Sequence, residues 1–178
     1  MPNKPLVYVD SCGFIDAVKE TVGTLPTDRN DDVWHIKKLM EANRAGDVSV
    51  VTSYLTLAEC VAVEPGQAIV PANIQEHFRR LLNSGQYVSL RQQTPRTAQI
   101  AQDLRWRHNL VLGGPDVLHL AAAIEAEAEE FITTDERLMR PKIIAVIPVL
   151  GRMGLRLIRG AATACLPEKY RQGEMLSG

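Results

Sequence analysis

Short apolar runs alternate along the chain with longer segments in which apolar residues recur every three or four positions. The first run, LVYV, is apolar and mostly β-branched, and it shows none of the polar–apolar alternation typical of a half-solvated strand. Similar runs recur four more times, so the pattern predicts about five strands. The predicted strands are 6–9, 48–53, 87–90, 131–133 and one within 142–149.

Between these runs, helical spacing and helix-start residues predict the intervening helices. Asp31 is predicted to cap a helix with apolar residues at helical spacing, which Gly46 ends. Ser53 is predicted to cap the next one, and Thr94 followed by Pro95 predicts another helix start. The predicted helices cover about 12–22, 31–45, 53–61, 72–83, 94–109 and 115–129.

The alternation of buried strands with helices predicts the fold class. Strands that are apolar on both faces are expected where helices cover both sides of a sheet, which indicates an α/β, three-layer α/β/α domain with a mainly parallel sheet. We expect this domain to span 1–150 and the remainder, 151–178, to form a C-terminal extension. If that extension is helical, Arg152, Arg156 and Arg159 form one basic stripe along it.

Composition narrows the classes of function. The chain has 178 residues, 46% hydrophobic and 23% charged, which suits one globular domain. A net charge of −1 excludes a protein that coats nucleic acid non-specifically, so any such contact needs a local basic patch. The three cysteines, Cys12, Cys60 and Cys165, are odd in number and lack C-x-x-C spacing, which argues against a disulfide framework or a zinc site. We therefore expect a reducing compartment.

The chain also lacks the patterns of membrane proteins. Its N-terminus has no apolar segment like that of a signal peptide, and no run of about 18 apolar residues occurs. We expect a cytoplasmic protein with no membrane association.

Four acidic residues fall at one edge of the predicted sheet. Asp10 directly follows the first strand and Asp135 follows the fourth, whereas Glu59 and Asp116 lie in helices that start just after a strand or loop. Ligands of open parallel sheets bind beyond the carboxyl ends of the strands, which is where these four residues are predicted to lie.

Each acid also has an ordinary structural interpretation. Asp10 and Asp135 are suited to capping helices, Asp116 suits the positive end of a helix dipole, and Glu59 fits an exposed helix face. However, Glu59 and Asp116 are surrounded in sequence by apolar residues and have no Lys or Arg close by. Buried acids need partners, so both interpretations stay open at this point.

Four converging carboxylates repel one another unless a cation lies between them. Two like charges about 4 Å apart cost on the order of 4 kcal/mol at an effective dielectric constant of 20. Mg²⁺ and Mn²⁺ prefer oxygen ligands, and such a site can activate water for attack on a phosphodiester.

Four segments in this order resemble the PIN-domain family, and within it the VapC-type ribonuclease toxins of toxin–antitoxin pairs. The segments are VYVDSCGFID, TSYLTLAEC, GGPDVLHLAAA and FITTDERL. They identify 1–150 as a PIN-like nuclease domain, and the D-x-x-H-x-A pattern at Asp116 is especially typical.

The resemblance implies a Mg²⁺- or Mn²⁺-dependent endoribonuclease. Asp10, Glu59, Asp116 and Asp135 match the family's metal-binding and catalytic acids. Ser11 and Thr133 match polar residues beside the site, and we also consider His119, one helical turn after Asp116, as a substrate contact. A second interpretation of His119 is a histidine that serves packing alone. The expected partners are an RNA substrate, a cognate antitoxin and a second copy of the chain in a homodimer.

The sequence also departs from the family pattern. Cys12 stands where a small polar residue is common, and because a thiol is a poor Mg²⁺ ligand we expect it to serve as a small buried hydrophobe. The insertion at 64–71 and the tail at 151–178 exceed the compact toxin form. A nuclease that processes RNA without being a toxin is therefore one alternative, and a non-catalytic RNA- or protein-binding module is another.

The chain lacks residues that three other classes of protein require. A phosphatase that uses an aspartate nucleophile needs a second Asp where Cys12 stands. A phosphatase that uses Cys12 needs an Arg where Val18 stands. The first strand is not followed by the G-x-G-x-x-G of dinucleotide-binding proteins.

Overall fold

The computed structural model describes residues 4–139 and 146–172, which form one parallel sheet covered by helices on both faces. The strands are β1 Leu6–Val9, β2 Ser49–Ser53, β3 Ser89–Arg91, β4 Glu130–Ile132 and β5 Arg156–Ile158. The α-helices are α1 Ser11–Thr21, α2 Asn30–Ala45, α3 Leu55–Glu59, α4 Ala72–Asn83, α5 Pro95–His108, α6 Gly114–Glu125, α7 Ile147–Arg152 and α8 Glu168–Arg171. Short 3₁₀ turns occur at Thr27–Arg29, Glu136–Met139 and Gly160–Ala162.

The sheet has the strand order β3-β2-β1-β4-β5, and each described pair of neighbours is parallel. This order confirms the predicted α/β class. The chain moves outward from β1 to β2 and β3 and then returns to the other side of β1 with β4. The strand order thus reverses beside β1.

Alternate residues of each strand enter opposite halves of the core. Val7 and Val9 pack with α1, α2 and α4 on one face, and Tyr8 between them packs with α5 and α6 on the other. Phe131 and Ile132 of β4 divide between the two faces in the same way. Because both faces are covered by apolar helices, the strands need apolar residues at every position, which explains the continuous runs in the sequence.

Only some of the predicted helix caps are present in the structure. Thr94 is confirmed as an N-cap, and with Thr97 it forms a capping box ahead of Pro95. The predictions for Asp31 and Ser53 are wrong. The turn at Thr27–Arg29 continues directly into α2, so the chain is already helical before Asp31. Ser53 remains in β2, two residues before the start of α3.

The described part of the predicted fifth strand is not a strand. Of the run KIIAVIPV at 142–149, residues 142–145 lie outside the described residues, and the last three residues begin α7. The strand β5 instead comes from 156–158, inside the segment expected to be an extension. A short apolar run is compatible with either a helix or a strand, and here Leu150 of α7 packs into the core as a helical residue.

Two buried acids attach the tail to the domain. Glu130 in β4 accepts hydrogen bonds from Arg156 at 2.5 Å and from the Thr163 hydroxyl at 2.5 Å. Asp32 in α2 is paired with Arg159, also at 2.5 Å. The predicted basic stripe is therefore wrong, because Arg156 lies in a strand and these two arginines neutralise buried carboxylates.

Within the two described segments, no helix combines the length and the apolar character that crossing a membrane requires.

Candidate active site

The predicted acids surround the point where the strand order reverses. Asp10 follows β1 and Asp135 lies just beyond β4, and these two strands are neighbours in the sheet. The backbone N–H of Asp10 donates to the carbonyl of Ile132 at 2.9 Å, which joins the two strand ends. Parallel α/β sheets bind ligands in the crevice at such a point.

Asp10 is buried, and both of its carboxylate oxygens accept hydrogen bonds. One carboxylate oxygen accepts from the backbone N–H of Ser11 at 2.8 Å, so Asp10 does cap α1. The other oxygen accepts from the Thr133 hydroxyl at 2.9 Å and from the Cys12 thiol at 3.1 Å. The cap and the site are thus two roles of one side chain, because a helix N-terminus at a strand end lies in the ligand-binding crevice.

Asp135 is connected to the same hydroxyl and to an arginine. Its backbone N–H donates to the Thr133 hydroxyl oxygen at 3.0 Å. Arg137 donates from Nε and Nη2 to the Asp135 carboxylate at 2.8 and 2.6 Å. Burial alone raises the pKa of Asp135, but hydrogen bonds and charge from Arg137 outweigh it and leave the pKa below its ordinary value.

Glu59 is oriented by a buried histidine. His119 Nε2 lies 2.6 Å from the Glu59 carboxylate, and His119 Nδ1 lies 2.7 Å from the Tyr8 hydroxyl. Burial opposes the charged forms of His119 and Glu59, yet their mutual attraction prevails: the pKa of His119 is raised and that of Glu59 is lowered. His119 is 1% exposed, so it reaches Glu59 from inside the core.

Asp116 lies in the first turn of α6, as predicted. Its pKa is raised, first by burial and then by the negative charges of Asp10, Asp135 and Glu59, while Arg137 acts in the opposite direction. The charges of Asp10, Asp135 and Glu59 thus all reach Asp116, which places the four acids near one another. The carboxylates repel at Asp116, where an added cation would relieve the repulsion most.

The donor set fits a hard divalent cation, since four carboxylates offer the oxygen ligands that Mg²⁺ and Mn²⁺ take. In 4–139 and 146–172, no three His, Cys, Asp or Glu side chains are already arranged to hold a metal ion. Glu59 is turned toward His119 and Asp135 toward Arg137. Rotation of these two side chains is therefore needed before one ion can contact the group.

The expectation that Cys12 serves as a small hydrophobe is wrong. Its sulfur lies 3.1 Å from the Thr133 hydroxyl oxygen and accepts from the backbone N–H of Thr134 at 3.3 Å, besides donating to Asp10. Burial and the charge of Asp10 raise the pKa of Cys12 well above its ordinary value, so the thiol keeps its proton and is a hydrogen-bond donor to the site.

Three further residues support the site without having been singled out in the sequence. Arg137 and Tyr8 bind Asp135 and His119 directly, and Asp16 accepts from Arg29 and from the Thr134 hydroxyl behind them. Strand alternation offered one signal, because it places Tyr8 on the face opposite Val7 and Val9. Arg137 and Asp16 have no such signal, since each lies in a turn or helix with a charge pattern common on surfaces.

The insertion borders the site. A cavity of about 360 Å³ adjoins the acids, and the insertion contributes part of its wall. Among its lining residues are Cys12, Lys19, Arg29, Glu59 and 61–66. Ser11 lies beside Glu59, where its hydroxyl helps to lower the pKa of that acid. The cavity is therefore lined by both acidic and basic side chains, with Glu59 as the one member of the acid cluster in its wall.

The fold and the acid cluster define a class of protein, namely parallel α/β domains with an acidic site where the strand order reverses. Residues 7–143 match the PIN domain family, so this chain belongs to that family, as the four segments indicated. PIN domains are generally nucleases, and membership therefore supports a hydrolase that acts on nucleic acids.

One similar solved structure is titled as the crystal structure of VapBC2 from Rickettsia felis bound to a DNA fragment from their promoter. The similarity covers 86% of this chain and 97% of that chain, with a TM-score of 0.54 and 16% identity. At that identity it establishes the shared fold. No curated protein matches the chain.

Proposed function

We propose that this protein is a metal-dependent endoribonuclease that hydrolyses RNA phosphodiester bonds. The observation that carries the proposal is the cluster of Asp10, Glu59, Asp116 and Asp135, in which burial and then the negative charges of the other three acids raise the pKa of Asp116. In this proposal these four residues hold Mg²⁺ or Mn²⁺. The cation, when bound, lowers the pKa of a water molecule and neutralises charge that develops on the phosphate.

The protein's own residues keep the acids in position. Thr133 binds both Asp10 and the backbone of Asp135, so a single hydroxyl sets the spacing of two ligands. His119 binds one carboxylate oxygen of Glu59 from the buried side, while the Glu59 side chain remains 26% exposed. Positioning of this kind supports catalysis because the charged groups need little rearrangement during the reaction.

Cleavage of labelled single-stranded RNA by the purified protein tests the proposal. We expect cleavage with Mn²⁺ or Mg²⁺, loss of cleavage in EDTA, and a loss of at least about 100-fold in Asp10→Asn or Asp116→Asn, since each removes a charge at the reacting centre. Asp103→Asn is the matched control, because Asp103 is an exposed acid on α5 paired with Arg107. Products with 5′-phosphate and 3′-hydroxyl ends are expected.

Equal cleavage by the wild type, the EDTA sample and both site variants would contradict the mechanism. Metal-independent RNA binding without any cleavage would favour the non-catalytic binding module instead.

We further propose that the nuclease is the toxin of a toxin–antitoxin pair. The shared fold with a VapBC complex favours this role over a nuclease that processes RNA without being a toxin. Expression should arrest growth in a manner that requires Asp116 and is relieved by a small neighbouring gene. Growth unaffected by expression of active protein would favour the processing role. A homodimer is also proposed, and its mass in solution can be measured by light scattering.

A further inference from the structure

The guanidinium of Arg137 lies at the acids of the site, although the sequence predicts no role for this residue. It contacts both carboxylate oxygens of Asp135, from Nε to Oδ1 at 3.1 Å and from Nη2 to Oδ2 at 2.6 Å. Its charge also acts on Asp116 and Glu59. Arg137 therefore interacts with three of the four acids.

This contact is open to solvent and so can be exchanged. The side chain of Arg137 is 63% exposed, whereas that of Asp135 is 16% exposed. Ion pairs at exposed positions contribute little stability, typically below about 1 kcal/mol, so releasing the guanidinium from Asp135 costs little. A divalent cation competes directly for the same carboxylate oxygens and carries twice the charge.

Arg29, the other arginine near the site, is held more firmly. It pairs at 3.0 Å with Asp16, which is buried and also accepts from the Thr134 hydroxyl at 2.6 Å. Removing Arg29 from that pair would leave a buried charge uncompensated, which is costly. Arg137 is thus the more easily released guanidinium beside the acids.

We propose that Arg137 is a phosphate-binding residue of the site, which pairs with Asp135 in the ion-free protein and contacts the RNA backbone once a divalent cation neutralises that carboxylate. Guanidinium groups bind phosphate through two parallel hydrogen bonds. Arg137 already makes such a pair with Asp135, from Nε to Oδ1 at 3.1 Å and from Nη2 to Oδ2 at 2.6 Å. This inference rests on the proposed nuclease function and adds a substrate contact to it.

Two measurements on Arg137→Ala and Arg137→Lys test this exchange. Titration calorimetry with Mn²⁺ should show binding about two- to fivefold tighter in Arg137→Ala, because a competing exposed ion pair is removed. The KM for a labelled single-stranded RNA that the wild type cleaves should rise about tenfold in the same variant, from the loss of a charged hydrogen bond. Arg137→Lys should recover part of the RNA affinity, since it keeps the charge but loses the two-point geometry.

Arg79→Ala is the matched control, because Arg79 is 62% exposed and paired with Glu76 on α4. It should leave both quantities unchanged. An unchanged KM in Arg137→Ala would overturn the inference alone, and so would weakened Mn²⁺ binding, which would make Arg137 a structural support of Asp135. Absence of cleavage by the wild type under all metal conditions would overturn the proposed function and this inference with it.

Discussion

At the scale of single residues, the carboxylates depend on neutral and cationic neighbours for their orientation. The buried chain from Tyr8 through His119 to Glu59 is the clearest case, with contacts of 2.7 and 2.6 Å. His119 therefore fills the core and orients Glu59 through the same set of contacts. Its burial argues against direct contact with substrate.

The paired pKa shifts of His119 and Glu59 predict how stability depends on pH. The pKa of His119 is raised above 6.5, so the stability from its charge is fully present below pH 6.5 and is lost as pH rises through the folded-state pKa. The pKa of Glu59 is lowered below 4.5, so its contribution is present above that pH and is lost on acidification. In EDTA, His119→Gln should therefore cost most stability between about pH 5 and 6.5.

Urea unfolding at pH 6 and pH 9 measures this effect. The expected loss for His119→Gln is about 1–3 kcal/mol at pH 6, and the loss should shrink at pH 9. His77→Gln on α4 is the control, because His77 takes no part in the contacts of Tyr8, His119 and Glu59. A loss that is equal at both pH values would contradict a charged His119–Glu59 pair.

At the scale of elements, the segment 156–163, which includes β5, packs closely against the backbone of α2. Gly160 lies against α2 so tightly that an added Cβ would be 2.4 Å from the carbonyl oxygen of Asp32. Asp32 in turn accepts from the backbone N–H of Ala161 at 3.0 Å and pairs with Arg159. Only a residue without a side chain fits this approach, so the glycine is required by packing.

Gly160→Ala should therefore destabilise the protein by about 1–3 kcal/mol, because the new methyl group meets backbone that cannot rotate away. Gly151→Ala is the matched control: an added Cβ there meets nothing within 4 Å, and in helix α7 alanine is favoured over glycine by up to about 1 kcal/mol. Thermal unfolding of both variants measures the difference. Equal melting temperatures would show that 160–162 can move away from α2.

At the scale of the whole molecule, the tail completes the domain. It supplies the edge strand β5 and places Leu155 and Leu157 on one face of the sheet and Cys165 and Leu166 on the other. It also brings the partners of buried Glu130. We therefore propose that the folded unit extends through 172 rather than ending near 150.

Truncation tests this boundary. A chain of residues 1–150 should fail to unfold cooperatively, because it loses apolar contacts on both faces and leaves Glu130 without its partners. A chain of residues 1–172 keeps the described contacts and should melt within a few degrees of the full chain. Circular dichroism melts compare the two. A cooperative, stable 1–150 fragment would support the tail as a separate extension.

Local signals in the sequence predicted the α/β class and most of the elements, and they pointed to the four candidate acids. Apolar runs, capping residues such as Thr94 and an acid directly after a strand are visible within a few residues. The prediction that Asp10, Glu59, Asp116 and Asp135 meet also needed only the rule that parallel strands end at one edge. What failed locally was the start of α2, where a 3₁₀ turn ran into the helix.

Three features depend on how the chain packs in three dimensions: where β5 lies, what Arg156 and Arg159 bind, and which residues His119 and Arg137 contact. Each of these depends on groups far apart in the chain: Arg156 and Arg159 meet acids 26 and 127 residues away, and His119 meets Tyr8 over 111 residues. Long-range pairs leave no periodic trace in a sequence, because burial and charge compensation are set by packing between elements. The acids were therefore predictable, whereas the residues that hold them in place became visible only in the folded chain.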